Sequence, residues 1–115
     1  MTIQRYMLGR IGHAAVESGG TLHFSGVIAD NLSCGMREQT EQICHKIEGM
    51  LTQLGSSKEK MISATIYITD FSQKEQMNDA WLSWLSAEYL PTRATIGVAD
   101  LGENVLIEVV ATAEK

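Results

Sequence analysis

A guanidinium and a carboxylate fifteen residues apart, each in a segment otherwise nearly free of charge, are the side chains of this sequence best placed to do chemistry. Arg93 lies in Pro91-Thr92-Arg93-Ala94-Thr95, and Glu108 is the one charge in the run Val105-Leu106-Ile107-Glu108-Val109-Val110. A planar guanidinium holds a carboxylate through two parallel charge-assisted hydrogen bonds, which a lysine does less well. A carboxylate near a desolvated cleft is tuned for proton transfer, burial raising its pKa and a nearby arginine lowering it. The apolar run predicts a strand buried on both faces, where an ionised, unpaired Glu108 would cost several kcal/mol. Glu108 therefore needs a structural salt bridge, an edge position or a place in a functional site.

Other reactive side chains lack a productive setting. His13, His23 and His45 have no metal-ligand spacing, so no metal is expected. Cys34 and Cys44 fit neither a disulfide framework nor a zinc motif and are read as reduced thiols. Neither cysteine sits in a Cys/His nucleophile motif, Ser25-Gly26 is not part of a Gly-x-Ser-x-Gly elbow, and Ser18-Gly19-Gly20 lacks the Gly-Lys-Ser/Thr element of a phosphate loop. Met77, Trp81 and Trp84 at helical spacing read as core or interface.

The elements that must position Arg93 and Glu108 follow from periodicity. Ala14 to Glu17 and Thr21 to Gly26 flank a Gly19-Gly20 pair suited to the positive φ values of a tight hairpin. From Met36 to Leu54, Ile43, Ile47, Met50, Leu51 and Leu54 mark one helical face, with Gly55 as the stop. Met61 to Thr69, rich in β-branched residues, predicts a central strand with a layer on each side. Ser72 with Glu75 three positions on predicts a capping box for a second helix ending before Pro91. Arg93 to Val98 and Asn104 to Thr112, joined around Gly102, predict a closing hairpin.

Composition sets the outer bounds. At 115 residues the chain is one domain, 1–115, with a modest core. A formal charge of −5 and no stripe of Lys or Arg argue against nucleic-acid partners. No signal-peptide stretch and no run of about 18 apolar residues occurs, which predicts a cytoplasmic protein without a membrane partner. Two helices cover one face of the expected sheet, so the other would face water in a monomer, and self-association is expected.

The order Pro91-x-Arg93-Ala94-Thr95-x-x-Val98-Ala99-x-Leu101, followed by Val105-x-Ile107-Glu108-Val109, resembles the signature of the reactive-intermediate deaminase family (RidA, YjgF-like, RutC-like). The resemblance runs nearly the whole chain and takes in Ser25-Gly26, the strand Ala64 to Asp70, and Met77-Asn78 with Trp81. It implies an α+β, chorismate-mutase-like fold: a mixed β-sheet with two helices packed on one face, assembled as a homotrimer with ligand clefts between subunits.

The implied activity is that of a hydrolase acting on C=N bonds, an enamine or imine deaminase releasing 2-keto acids and ammonia without a cofactor. Its ligand would be a small carboxylate-bearing imine, enamine or keto acid. Carried over position by position, Arg93 grips the substrate carboxylate, Glu108 activates water, and Thr95 and Asn78 line the cleft. The family's Pro-Tyr-Ser run is here Ile11-Gly12-His13, and Val27 stands where the family has Gln after Ser-Gly. The tyrosine hydroxyl is missing, leaving Arg10 or His13 to take its place. That loss keeps open a non-catalytic trimeric small-carboxylate-binding or regulatory protein. Endoribonuclease activity, a label also given to family members, fits the acidic charge poorly.

Overall fold

A computed structural model describes residues 2–115. The chain runs β1 (Ile3–Leu8), β2 (His13–Ser18), β3 (Thr21–Phe24), α1 (Met36–Gln53), β4 (Met61–Ile68), α2 (Lys74–Trp84), β5 (Thr92–Gly97) and β6 (Ile107–Glu114). One six-stranded mixed sheet has the order β1-β2-β3-β6-β4-β5, parallel only between β4 and β5. This is the expected α+β architecture with both helices on one face.

Local chemistry explains most boundaries. Gly19 and Gly20, at φ 60° and 83°, link Ser18 and Thr21 in the two-residue turn that a twisted β2-β3 hairpin favours. α1 turns Met36, Gln39, Thr40, Ile43, Cys44, Ile47 and Leu51 inward as a single stripe. It ends in a Schellman motif: Ser56 N–H donates to the Leu51 carbonyl at 2.8 Å and Gly55 N–H to that of Thr52 at 3.1 Å, with Gly55 at φ 81°. The expected Ser72/Glu75 capping box does not form. Asp70 caps the Phe71–Gln73 turn ahead of α2 instead, accepting from Ser72 N–H at 2.9 Å and Ser72 Oγ at 2.7 Å.

β4 is central because both its edges are used, by β5 on one side and β6 on the other. The expected β5-β6 hairpin is therefore absent. The β4-α2-β5 crossover lays β5 parallel to β4, and the following segment passes the end of β4 before β6 pairs on the far side. Val98 N–H donates to the Ile68 carbonyl and Thr69 N–H to that of Leu106 along this path.

The sheet has one buried and one open face. Ala64 pairs with Arg93 and Ala111, whereas Tyr67 pairs with Ile96 and Glu108. Opposed side chains share a face and successive ones alternate. Ala64, Ile66 and Ile68 of β4 meet Ile107, Val109 and Ala111 of β6 beneath the helices, all buried. Tyr67, Glu108, Val110 and Thr112 lie half-buried on the uncovered face, with Ile96 43 % exposed. β6 is thus buried on one face, not two, because a single chain has only two helices to lay over its sheet. No helix among the described residues is long and apolar enough to cross a membrane.

Candidate active site

The register separates the two leading candidates. Arg93 stands on the helix-covered face at the β5 edge, and Glu108 projects from the middle of the sheet on the open face. They line different pockets, so one copy of the chain does not bring the pair together.

Arg93 is half-buried against α2. Its Nη2 donates to Asn78 Oδ1 at 2.6 Å, and its Nη1 approaches the Met77 sulfur at 3.8 Å. Asn78 Nδ2 in turn donates to Glu75 Oε1 at 3.2 Å, which orients the amide. Burial pulls the Arg93 pKa below its ordinary value against the opposing charge of Glu75, and a guanidinium with that origin stays cationic at neutral pH. Beside it opens a pocket of about 270 Å³ walled by Trp81, Leu82, Leu90 and Pro91. The arrangement presents a fixed cation on an apolar wall. Thr95 shares the face of Arg93 two residues further along β5.

Glu108 borders a second pocket of about 350 Å³, shared with Met7, Ile11, Ala14, Ser25 and Gly26. The chain leaving β3 crosses directly under the carboxylate. Val27 exchanges backbone hydrogen bonds with Val109 at 2.8 and 3.0 Å, and a Cβ at Gly26 would collide with Glu108 Oε2. A side chain at position 26 would have to push the Glu108 carboxylate aside. His13, Gly9 and Gly12 complete the wall, and Arg10 is exposed on the same loop. Glu108 joins no salt bridge among the described residues. The carboxylate is free to accept from a water or a ligand.

Gln39 is the residue that sequence reasoning missed. Fully buried, it donates from Nε2 to the carbonyls of Cys34 (3.1 Å) and Asn104 (3.0 Å), and its Oε1 accepts from Leu106 N–H at 3.1 Å. One amide thereby ties the loop before α1 and the loop before β6 to the helix, two residues short of Glu108. The signal was present: Gln39 falls in phase with Met36, Ile43 and Ile47 on the buried stripe, where an unpaired amide would be costly.

Comparison with known proteins places this geometry in company. The family model described as endoribonuclease L-PSP matches residues 4–115. A RutC family protein of Aquifex aeolicus is 33% identical over 107 residues, covering 88% of this chain and 86% of that protein. The RutC family protein YoaB of Escherichia coli is 30% identical over 109 residues, 95% of each chain. Among solved structures, a YjgF family member from Neisseria meningitidis superimposes with a TM-score of 0.94 at 28% identity, covering 100% of this chain and 96% of the other.

Proposed function

The chain belongs to the endoribonuclease L-PSP family, which its RutC and YjgF relatives share, and on that premise we propose that it hydrolyses reactive 2-imino acids and their enamines to 2-keto acids and ammonia. The observation that carries this reading is the Glu108 carboxylate, unpaired at the wall of an open pocket. Arg93 supplies the second element, a cation held in place by Asn78.

Because Arg93 and Glu108 occupy opposite faces, the complete site joins Arg93 of one copy to Glu108 of another. A homotrimer with clefts between subunits is the assembly the family resemblance implies, and the uncovered sheet face gives each copy a surface to bury. Within the cleft, Arg93 binds the substrate carboxylate and Glu108 accepts a proton from water as its oxygen attacks C2 of the imine. The proton passes to the imine nitrogen to give the carbinolamine, and the hydroxyl proton then moves to that nitrogen as the carbonyl forms and the C–N bond breaks with loss of ammonia. Enamines enter after protonation at C3. Orientation of one water suffices because the unaided reaction is already quick.

The test generates imino acids with amino-acid oxidases and traps survivors with semicarbazide. Wild-type protein is expected to reduce trapping, and Arg93→Ala and Glu108→Gln are expected to lose that effect. Full activity in Arg93→Ala would sink the assignment. A second reading, a non-catalytic carboxylate-binding protein, draws on the Glu108 pocket having no phenolic hydroxyl in its wall. Keto-acid binding without turnover would select it. RNA cleavage lost in Glu108→Gln would instead favour the endoribonuclease label, which the charge of −5 opposes.

A further inference from the structure

A third pocket, of about 270 Å³, opens between α1 and α2 and shares no residue with those of Arg93 and Glu108. It lies in the helix layer, away from the sheet face that the proposed trimer buries. Glu41, Cys44 and Glu48 fall at i, i+3 and i+7 along one side of α1, and Ala80 and Trp84 supply the α2 wall. Cys44 is 2 % exposed, and its thiol reaches the pocket without a hydrogen-bond partner among the described residues. Glu48 Oε1 accepts from Trp84 Nε1 at 2.8 Å, which fixes the carboxylate and leaves its second oxygen open. Among the described residues no cation stands within salt-bridge distance of Glu48.

One ammonium group of the protein is already seated at the end of this pocket. Lys58 Nζ donates to the Trp84 carbonyl at 2.8 Å, at the C-terminal end of α2, and stands 5.8 Å from the centre of the Trp84 ring. A helix C-terminus and an indole face both attract cations. Two carboxylates against that single ammonium leave the lining one negative charge in excess, with His45 counted as neutral. Burial, followed by the charges of Glu41 and Glu48, pushes the Cys44 thiol up to about 12, so the floor is uncharged beneath a negative rim.

We propose that this pocket is a ligand site separate from the catalytic cleft, and that it takes a small primary ammonium ion with an aliphatic body. The ammonium group binds the open oxygen of Glu48 within the field of Glu41, with one N–H directed at the Cys44 sulfur. The body lies against Ala80 and the indole. A volume below the roughly 300–1,000 Å³ of ordinary ligand sites limits that body to a few carbons. An acid of the same size is repelled by the two carboxylates, and an alcohol gains only the burial of its apolar surface.

The experiment titrates the protein at pH 7.5 with n-butylamine, butan-1-ol and butyrate, following heat and tryptophan fluorescence, since Trp84 lies in the wall. Expected are saturable binding of butylamine at one per chain with a change in emission, and neither effect from the alcohol or the acid at equal concentration. Glu48→Gln keeps an acceptor for the indole N–H and should weaken butylamine roughly tenfold, through loss of a charge-assisted hydrogen bond. Lys58→Met removes the competing ammonium and should strengthen binding roughly twofold to fivefold. Glu59→Gln, at an exposed carboxylate beyond the pocket, and Glu108→Gln, in the catalytic cleft, should both match wild type. Circular dichroism checks that each variant is folded. Absence of saturable binding, equal binding of the alcohol or the acid, or an equal loss in Glu48→Gln and Glu59→Gln would each overturn the proposal. So would a loss in Glu108→Gln, which would move the amine to the cleft, or weaker binding in folded Lys58→Met. None of these outcomes depends on whether imines are turned over.

Discussion

Gln39 and the two cysteines show how much a single side chain's surroundings decide. Gln39→Leu keeps the volume of the buried stripe but strands two carbonyls and the Leu106 N–H, so a loss of about 2–4 kcal/mol in urea unfolding is expected. A loss below about 1 kcal/mol would mean the two loops are held by other contacts. Cys44 is buried between the helices, and desolvation, helped by the charges of Glu41 and Glu48 against that of Lys58, pushes its thiol up to about 12. In the native protein one thiol, that of the partly exposed Cys34, should therefore react with Ellman's reagent at pH 8, and the second only on unfolding. Both cysteines were read correctly as unpaired thiols, but their difference in reactivity arises because Cys44 lies on the inward stripe of α1 and Cys34 in the loop before that helix.

At the scale of elements, a glycine inside α1 and one just past its end carry opposite predictions. Gly49 lies inside α1 with open space where a Cβ would go, so Gly49→Ala should stabilise by about 0.5–1 kcal/mol through helix propensity. Gly55 also has open space, but its φ of 81° makes Gly55→Ala destabilising by about 1–2 kcal/mol. Thermal melts of the two variants should shift in opposite directions, and a common sign would refute the argument from backbone conformation. Both helices and the β2-β3 hairpin were legible in the sequence because their periodicity and turn glycines are local. The last two strands were legible as strands but not as partners. Their separation by β4 is set by a crossover that no short-range pattern encodes.

The open sheet face governs behaviour of the molecule as a whole. Ile96, exposed on that face beside Tyr67, should lie in the interface of the proposed trimer. Ile96→Glu is expected to sediment as a 12.6 kDa monomer with unchanged far-ultraviolet circular dichroism, whereas wild type sediments at three times that mass. A wild-type monomer would refute the shared site. The chain ends are joined by another cluster: Tyr6 donates to Glu17 Oε1 at 2.6 Å and Lys115 Nζ to the same oxygen at 3.1 Å. The Tyr6 hydrogen bond first, and that of Lys115 second, hold the Glu17 carboxyl below its ordinary 4.5. A lowered folded value means the contribution is present above 4.5 and is lost as pH falls below that through the folded value. The melting temperature of wild type should exceed that of Glu17→Gln at pH 7, with the gap closing on acidification towards pH 3. A gap unchanged with pH would show that the charge of Glu17 is irrelevant to it.

Sequence alone determined the α+β class, the family, the two helices, the β2-β3 turn and the choice of Arg93 and Glu108 as the residues to watch. Those features depend on residue type and short spacing, which survive without coordinates. Tertiary structure decided what spacing cannot carry: that β4 divides β5 from β6, that the register on β4 turns Arg93 and Glu108 to opposite faces, and that Gln39 links two distant loops. Strand side chains alternate with a period of two, so the face each residue takes is fixed only once the long-range register between strands is known.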